Sequence, residues 1–88
     1  MNKMRRKELA RIVAKLEELE ALRQEIQEEL ETVMDEEQEA LDNMPESLQD
    51  SEKGQQMQEY IDAMTDALDD LEEFDIDSIR DQIDDIIG

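Results

Sequence analysis

Apolar residues recur at every third or fourth position from Leu9 to Met44: Leu9, Ile12, Leu16, Leu19, Arg23, Ile26, Leu30, Val33, Glu37, Ala40, Met44. Only Arg23 and Glu37 interrupt the series. This spacing predicts one apolar seam along a long α-helix over about residues 3–42. At ~1.5 Å per residue such a helix is roughly 60 Å long. A rod of that length cannot bury its seam against itself. Val13, Leu22, Met34 and Leu41 flank the seam and widen it beyond a strict two-strand stripe, which suits three or more helices.

The pattern breaks once. Asp42-Asn43-Met44-Pro45 ends the helix, because Pro45 lacks an amide donor and disfavours helical Met44. The bend is expected at 43–51, with Leu48 tucked inward and Ser51 as the next N-cap. A second helix follows over about 52–73, with Met57, Ile61, Met64, Leu68 and Leu71 as its seam. Antiparallel to the first, it reaches back to about Leu22. Phe74-Asp75-Ile76-Asp77-Ser78-Ile79 reads as a restart, with Asp75 capping and Phe74 and Ile79 as a hydrophobic staple. A bent continuous helix is the alternative. The third helix, about 76–87, carries Ile79, Ile83, Ile86 and Ile87. The fold class is therefore all-α. It is an antiparallel, coiled-coil-like helical hairpin with a short C-terminal helix, in one domain over residues 1–88, and its wide seam also suits a homodimer.

Charge changes the picture most. The formal net charge is −19, from 28 acids and 9 bases. Residues 1–25 hold seven bases and five acids, whereas residues 26–88 hold two bases and twenty-three acids. Bases at a helix N-terminus oppose the macrodipole. Asp81, Asp84 and Asp85 are expected to neutralise Arg5, Arg6 and Arg11. Within the seam, Arg23 and Glu37 are expected to reach its edge and pair across it.

There is no Cys and no His, and Ser47, Ser51 and Ser78 lie in turn or capping contexts, so nucleophilic catalysis has no support. Zero Cys is compatible with a reducing cytoplasm. The opening MNKMRRK is basic like a signal-peptide n-region, but Glu8, Arg11 and Lys15 interrupt any apolar segment after it. No apolar run approaches the ~20 residues of a membrane span. Paired carboxylates such as Glu17/Glu20, Glu28/Glu31, Glu36/Glu39 and Asp66/Asp69 would hold Mg²⁺ only if turned inward on facing helices beside phosphate-binding bases. Here they lie mostly opposite the seams. Asp75-x-Asp77 lacks the glycine and the final glutamate of an EF-hand loop and reads as a cap. The expectation is a protein without catalytic residues, cofactor or metal.

The remaining candidate is the acidic surface. On the first helix it comprises Glu28, Glu31, Asp35, Glu39 and Asp42. On the second it comprises Glu59, Asp62, Asp66, Asp69, Asp70 and Glu73. Carboxylates three, four or seven residues apart are about 5–11 Å apart along a helix. Duplex nucleic acid carries one charge per ~1.7 Å of axis. Rows of carboxylates on a rod can therefore enter a Lys/Arg groove built for nucleic acid, while net −19 repels nucleic acid itself.

The segment from Asp35 to Gly54, DEEQEALDNMPESLQDSEKG, resembles the hairpin signature of short acidic proteins encoded by phages and mobile elements of Gram-positive bacteria. The resemblance covers about the central half of the chain and is strongest in its loop. It implies a helical hairpin and no site residues. In charge and size the chain is also similar in kind to phage anti-restriction and anti-CRISPR proteins that act as DNA mimics. The expected function is a non-enzymatic inhibitor in the cytoplasm of a bacterial host, blocking the basic groove of a defence nuclease. The alternative is a self-associating coiled-coil subunit whose acidity serves solubility and partner choice.

Overall fold

A computed structural model describes Met1–Gly88. The chain is helical throughout, with no strand: α1 spans Lys3–Asp42, α2 Glu46–Gln49, α3 Glu52–Glu73 and α4 Ile76–Ile87. No helix is long and apolar enough to cross a membrane.

Helix α1 is built largely of Leu, Glu, Arg, Lys, Gln and Ala, all strong helix formers, with no Gly or Pro inside it. At its start the Asn2 carboxamide oxygen accepts the Arg5 amide at 2.8 Å, in the manner of an N-cap. At its end the Met44 amide donates to the Leu41 carbonyl at 3.1 Å, and Pro45 follows. One turn, α2, forms after Pro45, with the Leu48 amide on the Pro45 carbonyl at 2.8 Å. Leu48 is exposed rather than tucked inward. The Ser51 hydroxyl accepts the Gly54 amide at 3.3 Å, capping α3, and itself donates to the Leu48 carbonyl.

Gly54 is buried. A Cβ placed there would overlap the Gln49 carbonyl oxygen and stand 2.6 Å from its carbon and 2.8 Å from the Leu48 carbonyl oxygen. Both obstacles are backbone, so they cannot swing aside. Glycine is thus required by the close approach of α3 to α2. Gly54→Ala should destabilise the fold by about 2–3 kcal/mol, as overpacking does, and lower the melting temperature by about 10–20 °C in a chain of this size. A thermal melt of the variant matching the parent would show that the bend yields easily.

The chain forms two compact units, Ile26–Glu73 and the pair of segments Met1–Glu25 and Phe74–Gly88. In Ile26–Glu73, Leu41, Ile61 and Leu68 are buried. Leu30, Met34, Met57, Met64 and Leu71 are half-buried beside them. The Thr65 hydroxyl lies 3.4 Å from the Met34 sulfur, so α3 rests on the distal part of α1. In the other unit Val13 and Ile76 are buried, and Leu9, Leu16, Ile83 and Ile87 half-buried.

Two details of packing differ from the expected seam. The covered row of α1 is Leu9, Val13, Leu16, Glu20, Arg23, Gln27, Leu30, Met34, Glu37, Gln38 and Leu41, while Ile12, Leu19, Ile26 and Val33 are exposed. Helix α3 ends at Glu73 and α4 restarts at Ile76, with the Asp75 carboxylate accepting the Ser78 amide at 3.0 Å. The expected staple is not buried. Phe74 and Ile79 are exposed, and Ile76, at 1% exposure, is the most deeply buried side chain of the chain.

Candidate protein-binding face

Helix α3 positions six of the acidic residues by simple periodicity. Ile61 and Leu68 turn inward, with Met57, Met64 and Leu71 at their sides. At ~100° per residue, Glu59, Asp62, Asp66, Asp69, Asp70 and Glu73 fall on the opposite side of the helix, and all six are exposed. On α1, Glu28, Glu31, Asp35, Glu39 and Asp42 lie on one flank of the row covered by Leu30, Met34 and Leu41, and they too are exposed. All of these residues belong to the unit Ile26–Glu73. That unit contains eighteen acids and one base, Lys53.

The ion pairs of the chain lie elsewhere. Arg23 meets Glu20 through Nη2–Oε1 at 2.6 Å and Nε–Oε2 at 3.0 Å. Arg80 meets Asp77 at 3.5 Å and Asp81 at 3.1 Å. None of the acids on the candidate face takes part in an ion pair. Their polar contacts come from neutral groups one turn away. Gln58 Nε2 donates to Asp62 at 3.0 Å, and Gln38 Nε2 donates to Asp42 at 3.0 Å. No basic side chain of the chain neutralises this face through an ion pair.

Elsewhere the geometry corrects two charge expectations. Arg5, Arg6 and Arg11 form no ion pair with Asp81, Asp84 or Asp85. Arg23 pairs with Glu20 along its own helix, and Glu37, half-buried, forms no ion pair. The Arg23 guanidinium holds the Glu20 carboxyl below its usual value, burial partly opposes this, and Gln24 and the charge of Arg80 add to the lowering. The hydrogen bond to Asp81 raises Arg80, with the charges of Asp81, Asp77 and Glu17 assisting against burial. None of these pairs includes a residue of the acidic face. Glu20, Gln27 and Gln38 are the polar members of that row that periodicity alone did not mark.

Side-chain carboxylates nowhere converge in a group of three or more suited to a metal ion. A hollow of about 380 Å³ beside the bend is lined by Gln38, Gln49, Gln55 and Gln58 with Leu41, Asp42, Asp50 and Gly54. Its polar lining is unlike the mostly apolar sites that hold small organic ligands.

No protein family, curated protein or solved structure matches the chain. The functional reading therefore rests on the face itself. Its parts are two helices, an apolar contact between them, and carboxylates on the outer sides. Such a surface can offer charge and shape to a protein.

Proposed function

We propose that the chain is a non-enzymatic, acidic protein-binding module that occupies the basic groove of a nucleic-acid-binding protein. The unit Ile26–Glu73 acts as an antiparallel, coiled-coil-like helical hairpin whose outer carboxylates take the place of a phosphate backbone. The favoured target is a nuclease of bacterial defence, RNA-guided or of the restriction type, and the favoured setting is the cytoplasm of a bacterium carrying a phage or mobile element. One observation carries this reading. Eighteen acids share a compact unit with a single lysine, and the candidate face among them is exposed and without ion pairs.

The physical case is electrostatic. A face of one sign steers a partner of opposite sign and speeds association. A basic groove that releases bound anions on meeting this face should lose affinity steeply as salt rises, as it does with nucleic acid. Competition tests the proposal directly. Immobilised chain should retain a basic nuclease from host extract at low salt and release it at a salt step. Duplex nucleic acid should then displace that purified partner from the chain. A ternary complex of chain, partner and nucleic acid would end the groove-blocking reading.

A further inference from the structure

Helix α1 carries a second apolar row that the chain's own helices leave open. Ile12, Leu19, Ile26 and Val33 recur at intervals of seven, with Leu22 beside them. These five side chains are between 42% and 52% exposed. At ~100° per residue the row lies on the flank of α1 away from Glu28, Glu31, Asp35 and Glu39. Its spacing is that of a coiled-coil seam. Scattered exposed leucines are ordinary, but a regular row of large apolar side chains marks an interaction surface.

We propose that a second copy of the chain covers this row, its α1 running antiparallel to the first. Two features of the sequence select that occupant and that direction. The row is symmetric under reversal: when Ile12 of one copy stands opposite Val33 of the other, Leu19 stands opposite Ile26, and Leu22 lies beside the twofold axis. The charges obey the same reversal. Residues 3–15 hold six bases and one acid, and residues 30–42 hold six acids and no base. In this register the bases on the row's side of one copy, Arg11 and Lys15, lie along the acids on that side of the other, Glu29, Glu36 and Glu37. Lys15 falls near Glu29, and Arg11 near Glu36. A parallel pair would instead place bases on bases and acids on acids, which is disfavoured. The dimer also sets acids beside Arg11 and Lys15, which form no ion pair within the single chain. The row lies on the side of α1 away from Glu28, Glu31, Asp35 and Glu39 and uses no residue of α3, so dimerisation and the proposed function are tested separately.

Sedimentation equilibrium of the full chain from low micromolar to near-millimolar concentration should show a monomer–dimer equilibrium. Leu19→Asp combined with Ile26→Asp should weaken it about 100-fold or more, because each copy would place two carboxylates in an apolar contact. Helicity should survive, since both side chains are exposed in the single chain. The chain has no cysteine, so single cysteines report register independently of that variant. Leu22→Cys should oxidise to a covalent dimer. Ile12→Cys alone should not, because the two copies of that position are about 32 Å apart along the axis. A mixture of Ile12→Cys and Val33→Cys chains should cross-link. A chain that stays monomeric at all concentrations would overturn the proposal and leave the row to a different partner. Efficient Ile12→Cys homodimers, or a dimer untouched by the double aspartate variant, would overturn it as well.

Discussion

Reversal of Asp62, Asp66, Asp69 and Glu73 together to lysine should abolish low-salt capture of the basic partner and flatten the salt dependence of any residual binding. Helicity should be retained, because all four side chains point away from Ile61 and Leu68 and none makes an ion pair. Only the hydrogen bond from Gln58 to Asp62 is lost. The expected size comes from the distributed nature of the contact. In nucleic-acid complexes each neutralised phosphate contributes about 0.9 to the slope of log K against log salt. Removing four such charges and replacing them with four of opposite sign turns attraction into repulsion over the middle of the face. Single reversals should each cost little, since exposed charge pairs contribute about 0–1 kcal/mol. Retention of affinity by the fourfold variant, measured by titration at two salt concentrations, would move the contact to the open row of α1 or to the bend.

Much of this arrangement is legible in the residues. Pro45 and Ser51 place the bend, Asp75 places the restart, and Ile61 and Leu68 are the inward positions of α3. The acidic face follows from the same periodicity, because residues opposite Ile61 and Leu68 have only solvent to meet. The choice of row on α1 is not legible in this way. Leu9, Leu16 and Leu30 belong to both possible rows, and the decision falls to their neighbours. The row Ile12, Leu19, Ile26, Val33 is the more apolar, yet the chain covers Val13, Glu20, Gln27, Met34 and Leu41. Hydrophobicity alone selects the wrong side, since Glu20 is satisfied by Arg23 and so tolerates partial cover. Helix α4 repeats the lesson. Ile76, Arg80, Ile83 and Ile87 are the covered positions and Ile79 and Ile86 are open, although isoleucine occupies both sides. Gly54 is a third case. Its role depends on the carbonyls of Leu48 and Gln49, which no pattern in the sequence brings to it.

Leu68→Asp should abolish the cooperative melt of Ile26–Glu73 at neutral pH. Leu68 is 8% exposed and shares its unit's core with only two other buried apolar side chains, Leu41 and Ile61. Truncation to alanine removes part of that core and should cost about 2–4 kcal/mol. Aspartate removes the same contacts and adds a desolvated carboxylate, raising the cost to roughly 5 kcal/mol or more. A domain of this size has little more than that to lose. The two contributions separate by pH. Desolvation raises the pKa of the introduced carboxyl in the folded state above its unfolded value, so the folded state binds the proton more tightly. Stability should therefore return as pH falls through that raised pKa and vanish again as pH rises. Leu68→Asn leaves the same shape without a titrating group and fixes the background of the chain's other acids. The difference between the two variants in circular-dichroism melts should narrow from pH 7 towards pH 4. Equal melts at neutral pH, or a gap that stays constant with pH, would mean that the site admits water and that Leu68 is not a sealed contact between α3 and α1.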